Sequence, residues 1–434
     1  MSVVGLGKLG SCLAACLASK GYQTLGIDNQ RGVVDLVASH RAPVEEPGLQ
    51  ELLSKSKKTL TATSDLGRAI DETDITFIIV PTPSQKDGSF TDKYVRDVLG
   101  PLAKRLGDSK KAYHLFAITS TVSPGTIDGR LIPLIEKHSG RKVNDGFGMA
   151  YNPEFIALGS VIDDFKSPDM VLIGESDSRV GDMIEHIYGV ICENDPHIAR
   201  MSLISAEITK IALNSYVTMK ISFANTLAGI CEVIDGAQID LITQAIGADK
   251  RISPHYIKGG MSFGGPCFPR DSRAFSSFAK EYGKSSHLSK ATDIVNKERI
   301  AQIIKMIRMR MGKVKKLTVL GLSYKPGTPV VEESPSIAII EGLLKKDPAL
   351  SIRVYDRLAT DNAKAELGDK VRYSHTLEGS LKGANAIVVA TADKEFRKLG
   401  EILPKKPLIL FDCWRMLREK VPDNVEYVSL GTKD

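Results

Sequence analysis

The stretch that decides the fold is Ser2-Val3-Val4-Gly5-Leu6-Gly7-Lys8-Leu9-Gly10, followed by a helical pattern that Gly21 ends and a second strand-like run closed by Asp28. A glycine-rich turn between strand and helix lets the backbone approach a pyrophosphate, and the helix N-terminus supplies amide donors and positive potential. A carboxylate at Asp28 would accept both ribose hydroxyls and repel a 2′-phosphate, although nearby Arg31 keeps NADP open. The predicted cofactor is therefore NAD, held by Gly5, Gly7, Leu9, Gly10 and Asp28.

Strands and helices alternate along the chain in two series. Short apolar runs typical of buried parallel strands recur up to about residue 198 and again over residues 317–430, with 3.6-period segments between them. Residues 203–234 form one long helical stretch without a proline. The sequence therefore predicts an α/β protein with two Rossmann-like doubly wound domains joined by a long central helix or helical domain. The expected domains are residues 1–200, 201–312 and 313–434.

Composition and charge limit the class of protein. The length of 434 residues suggests two or three domains, and 42% hydrophobic with 25% charged residues is the globular average, which argues against disordered and coiled-coil classes. A net charge of +6 is too dilute over this length to indicate a nucleic-acid partner. The six cysteines are irregularly spaced, and apolar stretches fall far short of the approximately 20 residues of a membrane span. We expect a cytoplasmic protein with no metal site and no membrane or nucleic-acid partner.

Two loops rich in hydroxyl groups and proline follow strand-like runs of the first series. They are Val80-Pro81-Thr82-Pro83 and the loop of residues 120–126. Loops at the carboxyl ends of strands line the ligand crevice of an open α/β sheet. We therefore expect Thr82, Pro83 and Thr121 to face the cofactor or the substrate, with a plain turn as the alternative for each loop.

Glu207, Lys210 and Asn214 interrupt the largely apolar middle helix at spacings that place all three on one face. Polar groups on a helix that should be mostly buried are costly unless they face a polar site. A functional stripe and an ordinary solvated face are equally compatible with the sequence.

A cysteine surrounded by glycine and proline occurs in Phe263-Gly264-Gly265-Pro266-Cys267-Phe268-Pro269-Arg270-Asp271. This backbone is suited to access rather than packing, so Cys267 is a candidate nucleophile. Asp271, four residues later, could orient or deprotonate a water. The alternative is a buried, inert cysteine.

These pieces, in this order, resemble the UDP-glucose/GDP-mannose dehydrogenase family over essentially the whole chain. The resemblance implies an N-terminal NAD domain, a long helix that also builds a homodimer, and a C-terminal domain that helps to hold a nucleotide sugar. It also implies oxidation of a sugar C6 alcohol to a carboxylate with two NAD⁺, through a thiohemiacetal and a thioester on the cysteine.

The resemblance also implies roles for individual side chains. Cys267 would be the nucleophile and Asp271 the partner of the hydrolytic water. Lys210 and Asn214 would steady the oxyanion. Thr121 and Glu154 would complete the catalytic set, with Glu154 positioning water or transferring a proton. The implied substrate contacts are Glu154, Lys210, Asn214, Arg251, Tyr256, Lys258, Phe263, Gly264, Lys325 and Arg415, of which Arg251 would reach the substrate of a neighbouring subunit.

Three positions depart from the family's pattern. Leu158 stands where many members have a second glutamate, Glu332 replaces an arginine, and the tryptophan often seen near Thr391 is absent. These departures are typical of a subgroup whose sugar differs.

The favoured function is oxidation of UDP-glucose to UDP-glucuronate, because Phe-Gly-Gly-Pro-Cys is more similar to UDP-glucose dehydrogenases than to the N-acetylhexosamine branch. GDP-mannose and a UDP-N-acetylhexosamine are the alternative substrates. A two-electron β-hydroxyacid dehydrogenase would need neither Cys267 nor the second α/β domain. An NAD-sensing or scaffold protein with a decayed site is the alternative from a different class.

Overall fold

Each α/β series forms its own sheet in the computed structural model, which describes residues 1–156, 158–418 and 420–433. The chain divides into two units, Met1–Ile211 and Ala212–Asp434. The predicted boundaries at residues 200 and 312 stay a prediction. Among the described residues, no helix combines the length and apolar character needed to span a membrane.

The first unit contains an eight-stranded sheet. Its strands are β1 (Ser2–Val4), β2 (Thr24–Ile27), β3 (Leu60–Thr63), β4 (Ile75–Ile78), β5 (His114–Ile118), β6 (Phe147–Tyr151), β7 (Met170–Glu175) and β8 (His197–Ser202). They lie in the order β3-β2-β1-β4-β5-β6-β7-β8. Neighbours pair in parallel except β6 and β7, which are antiparallel.

The helices of the first series cross over between these strands. They are α1 (Gly10–Ser19), α2 (Arg31–Ala38), α3 (Leu49–Lys55), α4 (Arg68–Glu72), α5 (Lys93–Asp108), α6 (Ile132–Ser139), α7 (Val161–Lys166) and α8 (Ser178–Ile191). The long helix α9 (Leu203–Cys231) follows β8, the last strand of the series. β4 and β5 are buried along their whole length, as expected for strands covered on both faces. The strand order reverses between β1 and β4, so the loops after β1, β4 and β5 meet where open α/β sheets bind ligands.

The second unit repeats the core of this topology. Its helices are α10 (Ile239–Ala248), α11 (Phe268–Glu281), α12 (His287–Met311), α13 (Pro335–Lys346), α14 (Thr360–Leu367), α15 (Leu377–Leu381) and α16 (Leu399–Ile402). Its strands are β9 (Lys316–Leu320), β10 (Ser351–Tyr355), β11 (Arg372–Tyr373), β12 (Ala386–Val389), β13 (Leu408–Asp412) and β14 (Val425–Ser429). They form a parallel sheet in the order β11-β10-β9-β12-β13-β14. The predicted fold class, two Rossmann-like domains with a helical region between the two strand series, is confirmed.

Three strands escape the sequence analysis, and each ends its sheet. β3 and β8 are only partly buried, so they lack the apolar runs of the central strands. β11 has two residues. The central helix also ends earlier than its periodicity predicts: α9 stops at Cys231, and a turn that includes Gly236 at φ 77° separates it from α10.

Candidate active site

The turn between β1 and α1 leaves open space beside its backbone. Gly5 has φ 94°, and a Cβ there would lie 2.1 Å from the Ile79 carbonyl oxygen. A Cβ on Gly10 would lie 1.7 Å from the Gly5 carbonyl oxygen, so both positions require glycine. Gly7 differs because it is exposed and a Cβ there would meet no atom within 4 Å. The residues present therefore fit a pyrophosphate laid against Gly7 at the N-terminus of α1.

Asp28 organises the same turn. Its Oδ2 accepts a hydrogen bond from the Leu6 amide at 2.8 Å, and its Oδ1 accepts one from the Gln30 amide at 2.8 Å. A carboxylate offers about four lone-pair positions, so two remain for the hydroxyls of a ribose. The use of Asp28 in NAD binding stays a prediction, and this arrangement leaves room for it.

The second unit contains a related turn with different chemistry. Gly321 has φ 88° directly after β9, and the Leu322 amide donates to Asp356 Oδ2 at 2.8 Å, as Leu6 does to Asp28. No helix follows immediately, because α13 begins only at Pro335. The second turn therefore lacks the helix N-terminus that the first offers to a pyrophosphate.

The loops after β4 and β5 are joined by hydrogen bonds. The Thr82 hydroxyl donates to the Thr121 carbonyl oxygen at 2.7 Å. The Ser120 hydroxyl accepts from the Val80 amide at 2.8 Å and also lies 2.8 Å from the Val80 carbonyl oxygen. Thr82 is buried and Pro83 is exposed beside it. The structure thus brings the predicted residues Thr82 and Thr121 together at the switch point of the sheet.

Glu207 is fully buried and anchors the loop that carries Thr121. Its Oε2 accepts from the Gly125 amide at 2.6 Å, and its Oε1 accepts from the Ile127 amide at 3.0 Å. Burial raises the pKa of the Glu207 carboxyl to about 7, although these backbone hydrogen bonds lower it. The solvated-face interpretation of Glu207 is therefore wrong, because its carboxylate fixes a loop of the candidate site.

Lys210 lies against the segment that contains Glu154. Its Nζ donates to the Glu154 carbonyl oxygen at 2.5 Å and sits 4.4 Å from the centre of the Phe155 ring. The Lys210 side chain is almost entirely buried. The first unit thus places a buried cation beside the backbone of Glu154, and the catalytic roles of both residues stay predictions.

The Glu154 carboxylate belongs to a buried polar network. The Tyr188 hydroxyl is in hydrogen-bond contact with Glu154 Oε1 and lies 2.9 Å from Asn152 Oδ1. Burial raises the pKa of the Glu154 carboxyl to about 7, against the Tyr188 hydrogen bond and the charge of Lys210, which lower it. A carboxyl with this pKa exchanges a proton readily at neutral pH. Nothing in the sequence pattern marks Tyr188, which looks like any aromatic residue of an amphipathic helix.

The second unit presents Cys267 at the N-terminus of α11. Cys267 is the exposed N-cap residue of this helix, so the inert, buried alternative does not describe it. Gly265 has φ 88°, and a Cβ there would lie 2.5 Å from the Tyr324 ring. A Cβ on Gly264 would lie 2.2 Å from the Glu333 carbonyl oxygen. The two glycines let the cysteine loop pack directly against the residues that follow β9.

Asp271 and Asn214 form a buried pair near this helix end. Asn214 Nδ2 donates to Asp271 Oδ2 at 2.6 Å, and Asp271 is 1% exposed. Asp271 Oδ1 lies 3.6 Å from Arg270 Nε. The carboxylate is therefore held in a fixed orientation one helical turn from Cys267, whose carbonyl oxygen accepts from the Asp271 amide at 2.8 Å.

The predicted substrate residues of the second unit have different exposures. Tyr256 and Lys258 are exposed, and Tyr256 has φ 59° with its ring edge-on to Phe268 at a centroid distance of 6.1 Å. Phe263 and Gly264 are buried, and Lys325 is half-buried. The Arg251 side chain is 87% exposed and pairs with Asp249 at 2.6 Å. Tyr256, Lys258 and Arg251 are therefore accessible to solvent, and the substrate contacts of all these residues stay predictions.

Arg415 differs from the other predicted substrate residues because its guanidinium is occupied inside the protein. It donates to both carboxylate oxygens of Asp240, at 2.7 and 2.8 Å, and to the carbonyl oxygens of Gly259 and Leu430. Its side chain is 2% exposed. The guanidinium therefore ties Gly259 to Leu430 and Asp240, and the substrate contact of Arg415 stays a prediction.

The three departures from the family pattern have visible surroundings. Leu158 packs against the apolar core of the first unit, so no acid replaces the second glutamate at this position. The Glu332 side chain is exposed, and its carbonyl oxygen accepts from the Gly265 amide at 3.1 Å. An indole does lie beside residue 390, because Trp414 Nε1 donates to the Ala390 carbonyl oxygen at 2.9 Å.

Comparison with known proteins agrees with this geometry. Three domain profiles of the UDP-glucose/GDP-mannose dehydrogenase family match in order: the NAD binding domain over residues 1–192, the central domain over 204–298 and the UDP binding domain over 318–419. UDP-glucose 6-dehydrogenase of Haloferax volcanii is 34% identical over 99% of both chains. GDP-mannose 6-dehydrogenase of Pseudomonas savastanoi is 32% identical over 93% of this chain and 94% of its own.

A solved structure gives the same result. The UDP-glucose dehydrogenase of Pyrobaculum islandicum superimposes with a TM-score of 0.90 at 30% identity, and the match covers 100% of this chain and 97% of the other. With its glycine turn, its buried Lys210 and its exposed Cys267, this chain belongs to the UDP-glucose/GDP-mannose dehydrogenase family.

Proposed function

We propose that this protein is an NAD-dependent dehydrogenase that oxidises the C6 alcohol of a nucleotide sugar to the uronic acid, with UDP-glucose as its favoured substrate. The observation that carries the proposal is the exposed Cys267 at the N-terminus of α11 next to a buried, oriented Asp271. A simple two-electron dehydrogenase has no use for such a thiol. In a four-electron oxidation the thiol has a role, because its addition to the aldehyde gives a carbon that carries both a hydroxyl and the hydrogen that leaves as hydride.

The chemistry assigns a step to each group. NAD⁺, when bound, accepts one hydride in each of the two oxidations. Cys267 sulfur adds to the C6 aldehyde to form a thiohemiacetal, whose oxidation gives a thioester. Water then adds to the thioester carbonyl carbon, and the thiolate leaves as the carboxylate forms. Asp271 orients this water, and Glu154 exchanges a proton with water at a pKa near neutrality.

Lys210 and Asn214 are proposed to stabilise the negative charge that develops on the C6 oxygen. Both side chains are buried and held by hydrogen bonds, Lys210 to the Glu154 carbonyl oxygen and Asn214 to Asp271. A preorganised cation and amide donor lower the barrier because they need no reorganisation during the reaction. Thr121, on the loop that Glu207 fixes, is proposed to line the site of this reaction.

The choice of UDP-glucose rests on the Phe263–Cys267 motif and on the relatives named above. GDP-mannose is the alternative, because a GDP-mannose enzyme is nearly as similar in sequence. A UDP-N-acetylhexosamine is the second alternative. The nucleotide sugar would contact Tyr256, Lys258, Phe263, Gly264 and Lys325 in the second unit.

A homodimer is proposed from the surface of the central helical region. Tyr216, Phe223 and Ile230 recur every seven residues on one face of α9 and are 57%, 53% and 47% exposed. Val233 and Leu241 continue the apolar exposure beyond α9. A contiguous exposed apolar face marks an interaction surface, and its heptad spacing suits packing against the same helix of a second copy.

The experiment that tests the function counts electrons. Purified protein is supplied with UDP-glucose, GDP-mannose or a UDP-N-acetylhexosamine, and both NADH and the sugar products are measured. We expect two NADH per sugar with UDP-glucose, and loss of the carboxylate product in Cys267→Ala. Cys192→Ala is the matched control, because Cys192 is half-buried in the first unit and should leave the stoichiometry unchanged. Four-electron turnover by Cys267→Ala would refute the mechanism, and no NADH from any sugar would favour a decayed, NAD-sensing protein.

A further inference from the structure

The hydrogen bonds around Tyr188 place one proton between two acceptors. The Tyr188 hydroxyl lies 2.9 Å from Asn152 Oδ1 and is also in hydrogen-bond contact with Glu154 Oε1. The orientation of the Asn152 amide is fixed, because its Nδ2 donates to the Leu172 carbonyl oxygen at 3.1 Å. Asn152 therefore offers only an acceptor to Tyr188, and a phenol has one proton to give.

Counting donors decides how the network is satisfied. If Tyr188 gives its proton to an ionised Glu154, Asn152 Oδ1 loses its partner, and Asn152 and Tyr188 are 1% and 2% exposed. An unsatisfied buried acceptor is costly. If Glu154 is protonated instead, it donates to the Tyr188 oxygen while Tyr188 donates to Asn152, and both contacts of the hydroxyl are satisfied. The arrangement with a neutral Glu154 is therefore favoured at rest.

The charged and titratable groups around Glu154 come from four elements. They are Cys16 on α1, Asp164 on α7, Tyr188 on α8 with Cys192 directly after it, and Lys210 on α9. Lys210 favours the ionised carboxylate and Asp164 opposes it. Burial raises the pKa of the Cys16 thiol to about 12 and that of Cys192 to about 11, so both are neutral around pH 7. The hydrogen bonds of Tyr188 and Asn152 therefore differ between the protonated and the ionised state of Glu154.

We propose that Tyr188 and Asn152 are positioning residues for Glu154: Asn152 accepts the Tyr188 proton while Glu154 is protonated, and Tyr188 donates that proton to Glu154 once Glu154 ionises. When Glu154 loses its proton to water, the Tyr188 hydroxyl turns from Asn152 Oδ1 to the new carboxylate. No atom other than this proton has to move far. The carboxylate can then take a proton from the water that attacks the thioester, so this inference rests on the role of Glu154 in the proposed function.

The two partners should shift the titration of Glu154 in opposite directions. Tyr188→Phe removes the hydroxyl that donates to the carboxylate, and a charge-assisted hydrogen bond is stronger than a neutral one, so the pKa of Glu154 should rise by about one unit. Asn152→Ala removes the competing acceptor and frees the Tyr188 proton for Glu154, so the pKa should fall by a similar amount. A residue with a merely structural role would not produce this pair of opposite shifts.

The test is an isotope-edited infrared titration of the full-length protein labelled with ¹³C-glutamate. The signal that disappears in Glu154→Gln is assigned to Glu154, and its protonated fraction is followed across about two pH units on either side of neutrality. Tyr113→Phe is the matched control, since it removes a partly buried hydroxyl elsewhere in the first unit. It should leave the Glu154 signal unchanged.

Each outcome has a defined meaning. Opposite shifts in Tyr188→Phe and Asn152→Ala support the proposal, and the ascending limb of the pH–rate profile for uronic acid formation should move with them. The proposal is overturned if the Glu154 titration is unshifted in Tyr188→Phe, or if Glu154 is ionised over the whole pH range. If Asn152→Ala fails to fold, the shift in Tyr188→Phe alone tests the proposal. Because the infrared signal does not depend on turnover, the network stands or falls separately from the oxidation of a nucleotide sugar.

Discussion

Arg415→Met tests whether this arginine holds the protein together or binds substrate. In the structure its guanidinium makes hydrogen bonds to both oxygens of Asp240 and to the carbonyl oxygens of Gly259 and Leu430. Methionine preserves much of the side-chain length and its apolar packing. The substitution therefore removes the hydrogen bonds with little change in volume.

The cost follows from the burial of the partners. The Asp240 side chain is 51% exposed, so water can replace the arginine there and this part of the loss is small. The carbonyl oxygens of Gly259 and Leu430 belong to buried residues, and each unsatisfied buried acceptor costs about 1–3 kcal/mol. We expect the free energy of unfolding to fall by about 2–6 kcal/mol in total, which is the sum for the two buried acceptors.

Chemical unfolding followed by circular dichroism measures this loss, and equilibrium binding of UDP-glucose measures the competing interpretation. Arg418→Met is the matched control, because Arg418 is exposed and its hydrogen bond to Gln238 is 3.2 Å long. The control should stay within about 0.5 kcal/mol of the parent protein.

A loss of affinity alone would refute the reasoning. Because Gly259 follows Lys258, we expect weaker nucleotide-sugar binding in Arg415→Met only together with lower stability. Unchanged stability with weakened binding would mean that Arg415 reaches the substrate directly, as the family resemblance implies.

Three further predictions follow from buried or crowded positions. Glu207→Gln turns an amide NH₂ toward the backbone donors of the loop after β5, and we expect about 2–3 kcal/mol lower stability and weaker NADH binding by fluorescence titration. Burial lowers the pKa of His114 from 6.5 to about 3, so the unfolded state binds a proton before the folded state does as the pH falls. The free energy of unfolding should therefore decrease by about 2 kcal/mol between pH 7 and pH 5, and His114→Gln should not show this decrease. Gly265 has φ 88°, and Gly265→Ala places a Cβ against the Tyr324 ring, so this variant should slow the modification of Cys267 by a thiol reagent. Gly283→Ala is the control, because Gly283 has φ 67° and a Cβ there meets no atom within 4 Å; it should leave the rate of modification unchanged.

Local patterns made most of the fold predictable from the sequence. A glycine turn after an apolar run fixes β1, α1 and β2 because strand, turn and helix are decided by neighbouring residues. The strands at the sheet edges are not predictable in this way. β3 and β8 are partly solvated, so burial leaves no period in their side chains.

The candidate site was only partly predictable, because some of its residues are defined by partners far away in sequence. Cys267 stands out through the glycines and prolines around it. Glu207 stands out as a polar residue on an apolar helix, but its role could not be predicted, since the Gly125 amide it binds is 82 residues away. Arg415 is the extreme case, because its partner Asp240 is 175 residues away in sequence. The sequence pattern does not distinguish an arginine that faces the substrate from one that is buried in internal hydrogen bonds.

The two related turns show how one topology supports different ligands. Asp28 accepts two backbone amides and keeps lone pairs for a ribose, whereas Asp356 accepts the amides of Leu322, Ser323, Leu358 and Ala359. Four donors exhaust the capacity of a carboxylate. Asp356 therefore stabilises its turn and has no lone pair left for a sugar hydroxyl. Since no helix begins beside this turn, the second sheet lacks the dinucleotide-binding features of the first. We expect a nucleotide bound by the second unit to be recognised instead by side chains, and the half-buried Lys325, four residues after Gly321, is one that the sequence predicts.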